Sequence, residues 1–133
     1  MIFGIICEFN PFHKGHRYLI ESVKKENDFV ICAMSGNFVQ RGEFAVYDKY
    51  TRAKTAVENG ADIVIEIPGV CSTLSAQGYA KAGVNILEGT GICDSIAFGA
   101  ECENVDELRA VADKIKEKDA QIKAELAKGV SYP

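Results

Sequence analysis

A chain of 133 residues has room for one compact domain with a single hydrophobic core. With 47% apolar and 26% charged residues it has the composition of a folded globular domain and excludes a disordered segment. A net charge of −4 excludes an overall basic footprint for nucleic acid, though not a local basic patch or an RNA-binding partner domain.

No apolar stretch approaches the length of a membrane span, and the start of the chain lacks the basic and small-residue regions of a signal peptide. A cytoplasmic location without a membrane partner is therefore expected. The five cysteines, Cys7, Cys32, Cys71, Cys93 and Cys102, are odd in number and contain no C-x-x-C pair. They are expected as reduced thiols, and their spacing predicts no metal site.

In chain order, Ile2-Phe3-Gly4-Ile5-Ile6-Cys7 is a near-continuous apolar run, the mark of a strand buried on both faces. From Lys14 to about Glu26, Leu19, Ile20 and Val23 recur at helical spacing. Asp28 to Met34 predicts a second buried strand. A polar, glycine-bearing loop from Ser35 to Tyr47 leads to Asp48, a good N-cap. Tyr50, Ala53, Ala56 and Val57 form the predicted apolar face of the helix it opens, and Asn59-Gly60 its stop. Ala61 to Ile67 is a third strand closed by Pro68. Leu74 to Glu88 is a helix with Ala76, Tyr79, Ala80, Gly83 and Leu87 on one side. Ile92 to Gly99 predicts a fourth strand. Asn104 and Glu107 have the form of a capping box, and Val105, Leu108, Ala112 and Ile115 continue as an amphipathic helix. Lys116 to Lys128 reads as a charged, solvated helical tail.

Four buried strands joined by helical crossovers predict a Rossmann-like α/β domain with a parallel sheet flanked by helices. Sheets of this kind commonly hold about five or six strands. Residues 1–133 are thus expected to be a single domain truncated before its last strand, the terminal Ser-Tyr-Pro having the look of a cut. An open edge on the fourth strand leaves homo-oligomerisation an alternative.

Chemistry on open parallel sheets gathers beyond the carboxyl ends of the strands. Glu8-Phe9-Asn10-Pro11-Phe12-His13-Lys14-Gly15-His16 lies at that edge and opens a helix, whose N-terminal N–H groups suit phosphate. His13 and His16 are the two histidines of the chain and, three residues apart, can face one ligand. Their residue type and spacing leave three readings open: capping or surface residues, metal ligands without an evident third partner, or phosphate contacts. Neither G-x-G-x-x-G nor a Walker A sequence is present. Ser35, Gly36, Asn37, Gln40 and Arg41 follow the second strand at the same edge, as candidate phosphate or RNA contacts. Asp48, Lys49 and Arg52 are candidates for the same rim, and Glu66 either faces the site or pairs with a cation.

His13-Lys14-Gly15-His16 fits the H-x-G-H signature of the nucleotidylyltransferase superfamily. With MSGNFVQRGE at 34–43, DKYTRA at 48–53, ADIVIEIP at 61–68, FGAE at 98–101 and the final SYP, the chain resembles the N-terminal domain of the bacterial tRNA(Met) cytidine acetate ligases. Phe44 stands where that family's loop has proline, and Ala100 where it has serine. The resemblance implies ATP binding by Cys7, Glu8, Phe9, Asn10, Pro11, Phe12, His13, Lys14, Gly15, His16, Ile20 and Gly99. His13 and His16 would be the catalytic phosphate contacts, with Mg2+ on the nucleotide phosphates. It further implies activation of acetate as acetyl-adenylate and acetylation of N4 of the wobble cytidine in elongator tRNA(Met). In the family the ATP site continues past Ser-Tyr-Pro and tRNA is held mostly by a C-terminal region, so the fragment alone is expected to be inactive. The open alternatives are a small-molecule adenylyltransferase of the same superfamily and a non-catalytic nucleotide- or RNA-binding module.

Overall fold

The structure, a computed structural model, describes residues 1–40, 42–102 and 104–129. It divides into two compact units, residues 1–99 and 100–133. The first unit carries the strands β1 (Ile2–Cys7), β2 (Phe29–Ser35), β3 (Ile63–Ile67) and β4 (Ser95–Ile96). Its helices are α1 (Lys14–Val23), α2 (Lys49–Glu58), the single turn α3 (Gly69–Ser72) and α4 (Ala76–Gly89). All strand pairs are parallel and the order is β3-β2-β1-β4. The predicted fold class is the observed one.

Alternation along the central strands divides the core. Ile5 of β1 and Val30, Cys32 and Met34 of β2 face Ile20 of α1 and Ala56 of α2. Ile31 and Ala33 of β2 face the other way, against Tyr79 and Leu87 of α4. A strand's side chains alternate between its two faces, so one run of consecutive apolar residues serves both layers. The register pairs Gly4 with Ile31 and Gly4 with Ile96, which seats β1 between β2 and β4. At Gly4 a Cβ would stand 2.7 Å from Leu87 Cδ1, so the bare backbone lets α4 lie close to β1.

Three sequence expectations change. The fourth strand is two residues long, not the whole of 92–99: among the described residues its ladder is to Phe3 and Gly4. The buried side of α2 is Arg52 and Ala56, whereas Tyr50 and Val57 are exposed. Ala76 and Ala80 of α4 are also exposed; its buried residues are Tyr79, Gly83 and Leu87, with Ala82 and Ile86 packed beside them.

In the second unit, Asn104 caps α5 (Val105–Glu117) by accepting from Asp106 N and Glu107 N, and α6 (Asp119–Ala127) follows after Lys118. The predicted capping box is partial: Glu107 returns to the Asn104 side-chain amide at 3.2 Å. Neither helix has a buried residue.

Candidate active site

Because β1, β2 and β3 progress to one side while β4 lies on the other side of β1, the order reverses at β1 and β4. Ligands bind in the crevice at such a reversal, beyond the carboxyl ends of the strands. The loop following β1 carries both histidines, and the segment following β4 reaches Gly99.

The loop leaves β1 through Phe9, whose φ of +48° is a conformation that costs a non-glycine residue about 1 kcal/mol or more. Burial of its ring (1% exposed) offsets that cost, and the ring packs on Phe12 and His16 at centroid distances of 4.9 Å. The Asn10–Pro11 peptide is cis. His13 then caps α1: its Nδ1 accepts from Gly15 N at 3.1 Å, while His16 Nδ1 accepts from His13 N at 3.3 Å. The imidazoles stack with centroids 3.7 Å apart.

This geometry fixes the tautomers. A ring nitrogen that accepts a hydrogen bond carries no proton, so each neutral imidazole holds its proton on Nε2 and presents an N–H donor there. The site thus presents two stacked rings with Nε2–H donors beside a helix N-terminus. Partial burial, and secondarily the neighbouring His13, lowers the pKa of His16 from its ordinary 6.5. Protonating Nδ1 would also forfeit its bond to the His13 amide. The capping and phosphate readings are therefore compatible, since capping uses one nitrogen of each ring and leaves the other.

Gly15 has a structural reason of its own. A Cβ there would meet His13 Cε1 at 3.0 Å and Nδ1 at 3.1 Å, so glycine makes room for the capping ring. Gly99 lies three residues past β4 rather than at its end, and nothing stands within 4 Å of where its Cβ would be.

The second loop is tied to the first at two points. Glu8 Oε1 accepts from Gln40 N at 2.6 Å, and Asn10 Oδ1 accepts from Val46 N at 2.7 Å. Asn37 uses its side chain to accept from Lys49 N at 3.0 Å. Sequence reasoning missed these ties because an Asn or Glu in a loop does not declare its partner.

Several candidates lie beneath the site rather than in it. Ile20 is buried in the core against the sheet, and Ser35 is fully buried beside the Arg52 side chain. Cys7 is partly buried; desolvation, and secondarily Cys32, raises its thiol pKa well above the ordinary value, so it is no nucleophile at neutral pH. Lys14 is exposed on the first turn of α1. Arg41 lies outside the described residues. Asp48 is the α2 cap, accepting from Tyr50 N, Thr51 N and Thr51 Oγ1, and those bonds lower its pKa. Glu66 pairs with Lys49 at 2.6 Å, so the cation-partner alternative is the observed one. Its Oε1 would collide with a Cβ at Gly36, which explains that glycine. Lys49, Tyr50, Met34 and Glu66 line a cleft of about 200 Å³ beside this edge.

Two residues escaped sequence reasoning. Tyr79 donates from its hydroxyl to Cys7 O at 2.7 Å, and its burial raises its pKa. Arg52, expected on the rim, is 1% exposed. A signal existed for Arg52: it lies one turn before Ala56, on the face turned to the core.

The profile of the HIGH nucleotidyl transferases matches residues 1–133 in full. The chain belongs to that family. Among similar proteins, the tRNA(Met) cytidine acetate ligase of Acetivibrio thermocellus is 46% identical, over 99% of this chain and 33% of its own length. That of Lysinibacillus sphaericus is 48% identical over 98% of this chain and 34% of its own. The crystal structure of Thermotoga maritima TmcAL bound with alpha-thio ATP superposes with a TM-score of 0.83 at 39% identity, over 99% of this chain and 33% of that one. The chain thus spans about a third of the length of the curated relatives it matches. No helix among the described residues is long and apolar enough to cross a membrane.

Proposed function

We propose that this chain is the N-terminal, ATP-binding part of a longer tRNA(Met) cytidine acetate ligase, with residues 1–133 contributing one side of the nucleotide site. The observation that carries the reading is the pair of Nε2–H donors at the head of α1, in a family of nucleotidyl transferases. A carboxylate oxygen of acetate attacks the α-phosphorus of ATP, and pyrophosphate leaves with the electrons of the broken P–O bond. The amine N4 of the wobble cytidine in elongator tRNA(Met) then attacks the acyl carbon of the acetyl-adenylate; the acyl C–O bond breaks, AMP leaves with its electrons, and N4 releases one proton to solvent.

In the first step negative charge grows on phosphoryl oxygens. His13 and His16 donate to those oxygens from Nε2, and the α1 N-terminus adds its dipole. Their fixed tautomers make them electrostatic stabilisers in place before reaction, without need of a proton transfer. The main chain from Cys7 to His16 shapes the nucleotide cradle, and the open backbone at Gly99 forms its far wall. Asn37, Gln40 and Arg41 belong to the loop that faces incoming phosphate or RNA. Magnesium travels on the nucleotide. Such ions need few protein ligands and would be held chiefly by the phosphates. Most tRNA contact, and the rest of the ATP site, falls to the region beyond this chain, which leaves the chain inactive or nearly so by itself. The protein acts in the cytoplasm.

Acetate-dependent exchange of labelled pyrophosphate into ATP by the longer ligase tests the reading. Exchange supported by a nucleoside monophosphate or phosphopantetheine instead of acetate makes it a small-molecule adenylyltransferase. ATP binding with neither exchange nor acyl transfer makes it a binding module.

A further inference from the structure

Arg52 has a property that stability alone does not explain. Its guanidinium is buried, and burial lowers its pKa, yet its partners among the described residues are three main-chain carbonyls and one hydroxyl. A buried cation carries a desolvation cost that an apolar side chain of similar size would avoid. What arginine alone supplies is a planar fork of N–H donors that can reach several segments at once.

The segments it reaches are those that build the site. Nη1 donates to Glu8 O, just past β1, and weakly to Ser35 Oγ at 3.5 Å. Nη2 donates to Gly36 O, just past β2. Nε donates to Tyr47 O at 3.0 Å, at the entry to α2. The Glu8 and Gly36 carbonyls lie where their strands have ended, so the sheet ladder no longer serves them. From Glu8 a short chain of contacts leads to the histidines. Phe9 follows in its left-handed conformation, its ring packs on His16 at 4.9 Å, and His16 stacks on His13 at 3.7 Å.

We propose that Arg52 is the positioning residue of the paired imidazoles, clamping the carboxyl ends of β1 and β2 to the α2 entry so that both Nε2–H donors hold one orientation. The clamp is a property of the ligand-free chain. Its use in nucleotide chemistry rests on the function proposed above.

The test compares Arg52→Lys with Leu87→Ala, a core truncation on the opposite face of the sheet. Histidine nitrogen spectra and their pH titration are recorded well below each variant's unfolding midpoint. In Arg52→Lys the two Nδ1 acceptor signals should collapse towards tautomer averaging, and the His16 pKa should rise towards its ordinary value. Leu87→Ala should leave both as in the parent. An Arg52→Lys chain that is folded with unchanged imidazoles overturns the proposal, as does an equal change in Leu87→Ala. If Arg52→Lys does not fold, the guanidinium protons of the unsubstituted chain decide. Separate, slowly exchanging Nη signals coupled to the carbonyl carbons of Glu8 and Gly36 support the clamp; one averaged signal from a rotating group refutes it. In the longer ligase Arg52→Lys should slow acetate-dependent exchange at saturating ATP by at least about tenfold. Absence of exchange in the unsubstituted ligase would count against the ligase function and leave the imidazole result standing.

Discussion

His13 and His16 each serve two masters, with Nδ1 committed to the main chain and Nε2 left for a ligand. This arrangement has a pH signature. The folded-state pKa of His16 lies below its ordinary 6.5, so on acidification the unfolded chain takes up the proton first. Stability supplied by neutral His16 is therefore present above pH 6.5 and is lost as pH falls from there through the folded pKa, below which it changes no further. The unfolding midpoint of the ligand-free chain should decline between pH 7.5 and 5, and His16→Asn should flatten that decline. A decline of equal slope in both proteins would assign it to other groups. Asp28 and Asp48 lie in a separate window: their pKa values are lowered, so their contribution is present above the ordinary 3.8 and disappears only below it.

At the scale of elements, α4 shows how close approach decides the effect of a substitution. A Cβ at Gly83 would meet three atoms of Ile6 at 2.7 to 2.9 Å, whereas one at Gly89, in the same helix, would meet nothing within 4 Å. Replacing an interior helical glycine with alanine favours the helix by up to about 1 kcal/mol, but overfilling a packed contact costs about 1–3 kcal/mol. Gly83→Ala should therefore destabilise by about 1 kcal/mol in urea unfolding, the difference between those two effects. Gly89→Ala should be neutral or stabilise by a few tenths. A Gly83→Ala that stabilises as Gly89→Ala does would mean that α4 does not rest on β1 as closely as the structure has it. The same elements set the limit of what the sequence discloses. β1, β2, α1 and the Asp48 cap were legible because apolar runs, helical spacing and capping residues are local signals. The burial of Arg52 was only half legible: its place one turn before Ala56 points to the core, but a charged residue there is read as surface unless its distant carbonyl partners are known. β4 was overextended for a related reason: the apolar residues of 92–99 favour a strand, but among the described residues only Phe3 and Gly4 offer it a partner. In the site, the histidines and Gly15 were legible as a motif, whereas the ties from Glu8 to Gln40 and from Asn10 to Val46 depend on loop paths that no local pattern encodes.

Across the whole molecule, polar groups at the two edges of the sheet are arranged for different tasks. At the amino edge, carboxylates close the strand starts: Asp94 accepts from Ile2 N and Asp62 from Val30 N, each at 2.7 Å. At the carboxyl edge, Glu8 accepts from a loop amide, Asp48 from first-turn amides of α2 and Glu66 from Lys49, which leaves the two Nε2–H donors beside a helix N-terminus. Both buried clusters lie in the first unit, and α5 and α6 bury no residue. Resistance to opening should follow the same division. Isolated helices shorter than about 12–15 residues are marginal in water, and α5 and α6 have 13 and 9. α5 has the Asn104 cap, acidic residues in its first turn and lysines in its last, all favourable to the helix dipole. α6 has no side-chain cap. Amide hydrogen exchange of this chain should therefore be slowest in β2, intermediate in α5 and fastest in α6. Equal protection of β2 and α6 would show that α6 is held by more than its own local structure.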